Sequence, residues 1–133
     1  MDIAFVVDGE PFNGGSVEER ALGGTESAVT YMGRELVKLG HQVSVYTNCD
    51  RPGLYQGVMY GGFGDFKDPK DVLVSVRDFE SLKASNAGLK VYWVHDAYNQ
   101  PVVQRRIHDW PAADRIFTIS AWQTETFREV YQI

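Results

Sequence analysis

The chain has 133 residues, 44% of them hydrophobic, which is enough for one domain with a continuous core. Thirteen basic and eighteen acidic side chains leave a formal charge of -5, which argues against a nucleic-acid binder; "VVQRRIH" (102–108) is the one small basic cluster. A single cysteine, Cys49, excludes an intramolecular disulfide framework and a cysteine-rich metal site, and no run approaches the ~20 apolar residues of a membrane span.

The first predicted element is "IAFVV" (3–7), a short apolar run rich in β-branched residues, as a strand covered on both faces requires. No basic region precedes it, so no secretory signal is read there. The chain is expected to be soluble and cytoplasmic, and a lone cysteine fits a reducing compartment. Asp8 and Gly9 end the strand, and the polar segment to Gly24 shows little capacity for an element of its own. From Thr25 to Leu39 the pattern is helical, with Ala28, Val29, Met32, Leu36 and Leu39 on one apolar face. Thr25 is the expected cap, Glu26 suits the positive end of the helix dipole, and Gly40 supplies the stop. "QVSVYT" (42–47) completes a βαβ unit.

The middle is less regular. A short strand is expected near Val58 to Tyr60 within a glycine-rich stretch. "DVLVSV" (71–76) reads as a strand and "FESLKASN" (79–86) as a short helix closed by Gly88. "KVYWVH" (90–95) is a strand, "QPVVQRRIHDW" (100–110) a helix, "RIFTI" (115–119) a strand and "SAWQTETFREVY" (120–131) a helix. Ser120 and Gln123 have capping-box spacing there. Strands alternating with helices imply an α/β fold. We expect one doubly wound, Rossmann-like domain over residues 1–133, with a mostly parallel sheet and helices on both faces.

Ligands of such sheets bind beyond the carboxyl ends of the strands, where strand order reverses. The polar residues there are Asp8, Arg77, Asp78, His95, Asp96 and Ser120, together with the Gly23–Gly24 pair before the first long helix. Glycines at a helix start either admit a phosphate to free amides or merely permit the turn. His95 is either a hydrogen-bonding or proton-exchanging group or a surface histidine, with Asp96 able to orient it only if the chain turns. Arg77 and Asp78 read first as solvated charges, and Ser120 as a helix cap. Trp93, Trp110 and Trp122 read as core or interface filling, and Cys49 as a small filler. Neither G-x-G-x-x-G after the first strand nor G-x-x-x-x-G-K-[ST] occurs, which argues against a dinucleotide oxidoreductase and a phosphate-loop hydrolase. A nucleophile elbow of the G-x-S-x-G type is also missing. His41, His95 and His108 lie on unrelated elements without ligand spacing, so no metal is expected.

Taken in order, "ALGGTESAVTYMGRELVKLGHQVSVYT", "WVHD" and "ADRIFTISAWQTETFREVY" resemble the amino-terminal half of retaining glycosyltransferases of the glycosyltransferase-B fold, in the group of glycogen-synthase-like enzymes and mannosyltransferases. The resemblance spans nearly the whole chain. It implies an acceptor-side Rossmann-like domain facing a second, donor-binding domain across a cleft. By motif match it assigns the donor diphosphate to Gly23 and Gly24 and a place near the transferred sugar to His95. The loop from Asp8 to Leu22 would border the acceptor, with Arg77, Asp96 and Ser120 as further acceptor or sugar contacts. The donor half, with its Glu-x7-Glu motif, has no counterpart in these residues. The implied domain therefore does not complete transfer alone, takes nucleotide sugar as substrate rather than cofactor, and exposes an interdomain face that favours self-association. No nucleic-acid partner is expected, and no basic amphipathic stretch indicates a membrane. The alternative is a standalone, non-catalytic Rossmann-like binding or partner module.

Overall fold

The computed structural model describes residues 1–104 and 107–132, apart from the side chains of Val102 and Ile107. The elements in chain order are β1 (Asp2–Val7), α1 (Ser16–Glu19), α2 (Gly24–Lys38), β2 (Gln42–Tyr46), β3 (Gly53–Tyr55) and β4 (Val58–Gly61). They continue with β5 (Val72–Val76), α3 (Phe79–Ala84), β6 (Leu89–Trp93), α4 (Pro101–Gln104), β7 (Arg115–Phe117) and α5 (Ala121–Tyr131). Short 3-10 turns cover Phe63–Asp65 and Ile107–Ala112. The expected helix over 100–110 is thus α4 followed by a 3-10 turn, and its middle, like part of the basic cluster, lies outside the described residues.

Among the described residues the strands form a seven-stranded sheet in the order β3-β4-β2-β1-β5-β6-β7. Every neighbouring pair is parallel except β3 with β4. The fold is α/β and Rossmann-like, and strand order reverses between β1 and β5. Successive residues of a strand point to opposite sides, and β1 divides its side chains accordingly. Ile3, Phe5 and Val7 join Val29, Val43, Val58 and Val74 in one core, with Leu36 and Val37 of α2 against it. Ala4 and Val6 join Phe79, Leu82, Val103, Trp110 and Phe127 in a second core, built from α3, α4 and α5. Each buried Val, Leu or Phe contributes roughly 1.5–3 kcal/mol.

Several local expectations are corrected. The α2 cap is Gly23 rather than Thr25, and Thr25 is buried within the first turn. The buried stripe of α2 is Thr25, Glu26, Val29, Thr30 and Gly33, while Met32 and Leu39 are 42% and 74% exposed. The stripe is set by contact with the sheet: a Cβ on Gly33 would lie 3.5 Å from Val58, so the helix closes on β4 along that side. The segment from Asp8 to Gly24 carries α1 and is pinned. Phe12 is fully buried, the Asn13 side-chain amide donates to Asp50 (2.9 Å), and Arg34 donates to the Gly14 carbonyl (2.8 Å). β3 was not foreseen. It pairs with β4 through a two-residue turn in which Gln56 and Gly57 both have positive φ (47° and 84°), as a primed hairpin turn needs. α3 stops at Ala84, with Ser85 extended, well before Gly88. Trp122 is 60% exposed rather than core, whereas Trp110 is buried as expected.

Candidate functional site

Val7 and Val76 are register partners, so β1 and β5 release Asp8 and Arg77 side by side at the point of strand reversal. The Asp8 amide still donates to the Val76 carbonyl (3.1 Å), which keeps the two strand ends together, while the Asp8 side chain is exposed. Beyond them a cleft of about 500 Å³ is lined by Gly9, Glu10, Gly23, Gly24, Thr25, Glu26 and Arg77. Residues far apart in sequence meet here because the loop after β1 returns to the start of α2 above the same sheet edge.

The glycine pair has an unexpected geometry. Gly23 is extended (φ -63°, ψ 161°) and Gly24 begins the helix, and neither has a positive φ. A side chain could adopt both backbones, so the turn does not require glycine. A Cβ on Gly24 would meet nothing within 4 Å, so packing does not require it either. The first helical hydrogen bond runs from the Ser27 amide to the Gly23 carbonyl (3.1 Å), and the amides of Gly24, Thr25 and Glu26 precede it. Such amides and the helix dipole attract anions.

Arg77 is a non-glycine residue in the left-handed region (φ 64°). The conformation sends its guanidinium across to β6, where Nε and Nη2 each donate to the Asp96 carboxylate at 3.0 Å. The bidentate pair raises the Arg77 pKa, and burial opposes this only in part. Asp96 therefore orients Arg77 rather than His95. Asp78 is also structural: it caps α3 by accepting from the amides of Glu80 (3.0 Å) and Ser81 (3.2 Å). The pairing of Arg77 and Asp78 as free solvated charges does not occur.

His95 follows β6 with its ring 4.5 Å from that of Trp93 and tilted by 63°. Its Nε2 is buried and, among the described residues, has no hydrogen-bond partner; His95 itself does not line the cleft. Burial first, and then the Arg77 charge, lowers its pKa, while Asp96 and Glu26 pull the other way. An imidazole held towards its neutral form, with one unpartnered nitrogen, is suited to a hydrogen bond with a ligand hydroxyl group. Ser120 is the cap of α5, accepting from the Gln123 amide at 3.1 Å, and does not line the cleft. The reciprocal capping bond is displaced by one residue, since Gln123 Oε1 accepts from Ile119 instead (2.8 Å). Gln123 Nε2 then donates to the Asp96 carbonyl (3.0 Å), tying α5 to the strand end that carries His95.

The residue that sequence reasoning missed is Glu26, 4% exposed on the cleft wall. The signal was its position one helical turn from Val29 and Thr30 and two from Gly33, which places a carboxylate in the buried stripe. Among the described residues no group of His, Cys, Asp and Glu gathers to hold a metal, and no helix is long and apolar enough to cross a membrane. No family model, curated protein or solved structure matches the chain in comparisons with known proteins.

Proposed function

We propose that the chain is the amino-terminal, acceptor-side domain of a retaining, nucleotide-sugar-dependent glycosyltransferase. The observation that carries this reading is the glycine-paired start of α2 beside Arg77 at the strand reversal, with glycines that neither backbone conformation nor, at Gly24, packing demands. In this role the amides of Gly24 and Thr25 meet the donor diphosphate, where negative charge grows as the glycosyl bond breaks. The His95 imidazole is assigned a hydroxyl group of the transferred sugar, which Nε2, covered in this conformation, meets once the groups over it open. Arg77, fixed by Asp96, supplies positive charge at the cleft without changing protonation. Because Asp96 is committed to Arg77, His95 positions and polarises rather than relaying protons, which suits a front-face substitution better than hydrolysis by a triad. The donor's base and ribose require a second domain, and sugar transfer by this domain alone is not expected. Self-association through exposed apolar residues such as Phe117, Ile119 and Trp122 belongs to the same proposal. So does a cytoplasmic setting, supported by the single unpaired Cys49.

The test is transfer from a nucleotide sugar by a protein in which this domain is joined to a donor-binding half, compared with its His95→Ala variant. Loss of about a hundredfold or more in kcat is expected for a lost transition-state contact. A variant within about a factor of two of the parent would contradict the assignment of His95, and a parent that transfers nothing would favour a non-catalytic binding module.

A further inference from the structure

A helix start built to attract an anion should not hold a carboxylate of its own, yet α2 does. Glu26 is the third residue after the Gly23 cap and 4% exposed. A Cβ on Gly23 would stand 2.5 Å from its Oε2. One on Gly9 would stand 3.0 Å from its Oε1 and 3.4 Å from Arg77 Nη1. The carboxylate thus lies between two bare glycine backbones, opposite the guanidinium nitrogen that Asp96 leaves free.

Two internal roles for it fail. At this position a carboxylate can reach back to the cap amide, as Asp65 does to Gly62 at 3.0 Å, but no side-chain hydrogen bond caps α2. Nor is it an ion-pair partner of Arg77, whose salt bridge goes to Asp96. Among the described residues no hydrogen bond or ion pair reaches the Glu26 carboxylate, which faces the cleft with its acceptor capacity unused and only the longer-range pull of the Arg77 charge to offset it. It also repels a bare phosphate placed on the neighbouring amides. A ligand that sets hydroxyl groups against Glu26 while resting an anionic oxygen on the helix start uses that capacity and offsets the repulsion.

We infer that Glu26 is the hydroxyl-reading residue of this cleft, which makes it selective for a glycosyl phosphate over a simple phosphate. The inference rests on the placement of a phosphate at the Gly24 and Thr25 amides given under the proposed function. The anionic oxygen meets the Gly24 and Thr25 amides and Arg77 Nη1, and adjacent sugar hydroxyl groups donate to the two Glu26 oxygens. A glycosyl phosphate unit occurs free or within a nucleotide sugar, and the arms of the test separate these sources.

Backbone amide shifts of the 133-residue chain are followed by NMR during titration with inorganic phosphate, methyl glucoside, glucose 1-phosphate and UDP-glucose. Glucose 1-phosphate should bind about tenfold more tightly than phosphate, a preference of the size that hydrogen bonds to a charged acceptor supply. Because the base and ribose find no pocket in this chain, UDP-glucose binding at least as tightly as glucose 1-phosphate assigns the unit to a nucleotide sugar, and UDP-glucose binding clearly more weakly, with its second phosphate refused, assigns it to a free sugar phosphate. Glu26→Gln should weaken glucose 1-phosphate about fivefold or more and leave phosphate unchanged or tighter, because charge repulsion is gone. A purely structural Glu26 would shift both affinities in the same direction, and that result overturns the inference. Gly9→Ala, which places a methyl group between Oε1 and Nη1 and leaves Glu26 in place, should reproduce the loss of preference. Phosphate binding at Gly24 without any sugar preference sinks the inference and leaves the proposed function standing. Methyl glucoside binding that depends on Glu26, with no response to phosphate, overturns the phosphate placement and with it the glycosyl phosphate selectivity. Amides that respond to none of the four ligands overturn both.

Discussion

The Arg77–Asp96 pair is the joint on which the candidate site turns, and removing it has a calculable signature. Their side chains are 28% and 18% exposed, between the regimes of surface and buried ion pairs. Exposed pairs contribute ~0–1 kcal/mol, and stripping one partner from a buried pair costs ~3–5 kcal/mol. With solvent screening the expected cost of Asp96→Ala is about 2 kcal/mol, and that of Arg77→Ala is similar. Arg77 carries a second term, because its φ of 64° is a left-handed conformation that costs an L-residue ~1–2 kcal/mol and glycine little. Arg77→Gly should therefore be about 1 kcal/mol more stable than Arg77→Ala, even though both lose the same ion pair. In urea unfolding followed by tryptophan fluorescence, the Arg77→Ala, Asp96→Ala double variant should fall short of the summed single effects by at least ~1 kcal/mol. Additivity within ~0.5 kcal/mol would show that the pair does not hold β5 to β6. Equal stability of the Gly and Ala variants would refute the strain argument.

Gly24→Ala separates fold from ligand: with open space around the added methyl group, stability should hold or rise by up to ~1 kcal/mol while pyrophosphate affinity drops, as denaturation and titration of one sample will show. A drop in stability would return Gly24 to a structural role. The lowered pKa of His95 means that the unfolded chain takes up a proton just below pH ~6.5 while the folded chain resists it. Unfolding therefore binds protons in that window, stability falls as pH drops through it, and His95→Gln should flatten the slope measured between about pH 7.5 and 5.5. An unchanged slope would contradict this. Gly57→Ala should cost about 2–4 kcal/mol, because φ is 84° and the new methyl group would stand 2.6 Å from Val37 Cγ1. A loss below ~0.5 kcal/mol would show that the hairpin turn relaxes freely.

The parallel sheet is legible because its strands are short β-branched runs between amphipathic segments, and the carboxyl-end rule then points to Gly23, Gly24, Arg77, His95 and Asp96 from the sequence alone. What escaped depended on contacts between distant segments. β3 lacks the Asn-Gly or Asp-Gly signal and relies on Gln56 and Gly57, which only pairing with β4 identifies as a turn. The side of α2 that faces the sheet was misplaced because Met32 and Leu39 look apolar, while the sheet selects the side where Gly33 allows close approach to Val58. Ser120 and Trp110 behaved as their types suggest. Asp96 could orient its neighbour His95 only if the chain turned, and instead the left-handed turn at Arg77 brings the guanidinium within its reach. Glu26 was seen as a dipole residue and not as a cleft wall, since one carboxylate near a helix start is an ordinary sequence feature until its burial is known.

The central claim is that the start of α2 is an anion site. The direct measurement is a pyrophosphate titration of the chain, read at the amide resonances of Gly24, Thr25 and Glu26. Saturable shifts concentrated at those three amides, and diminished in Gly24→Ala, are expected. Shifts confined to exposed lysines and arginines, with the start of α2 unmoved, would contradict that claim.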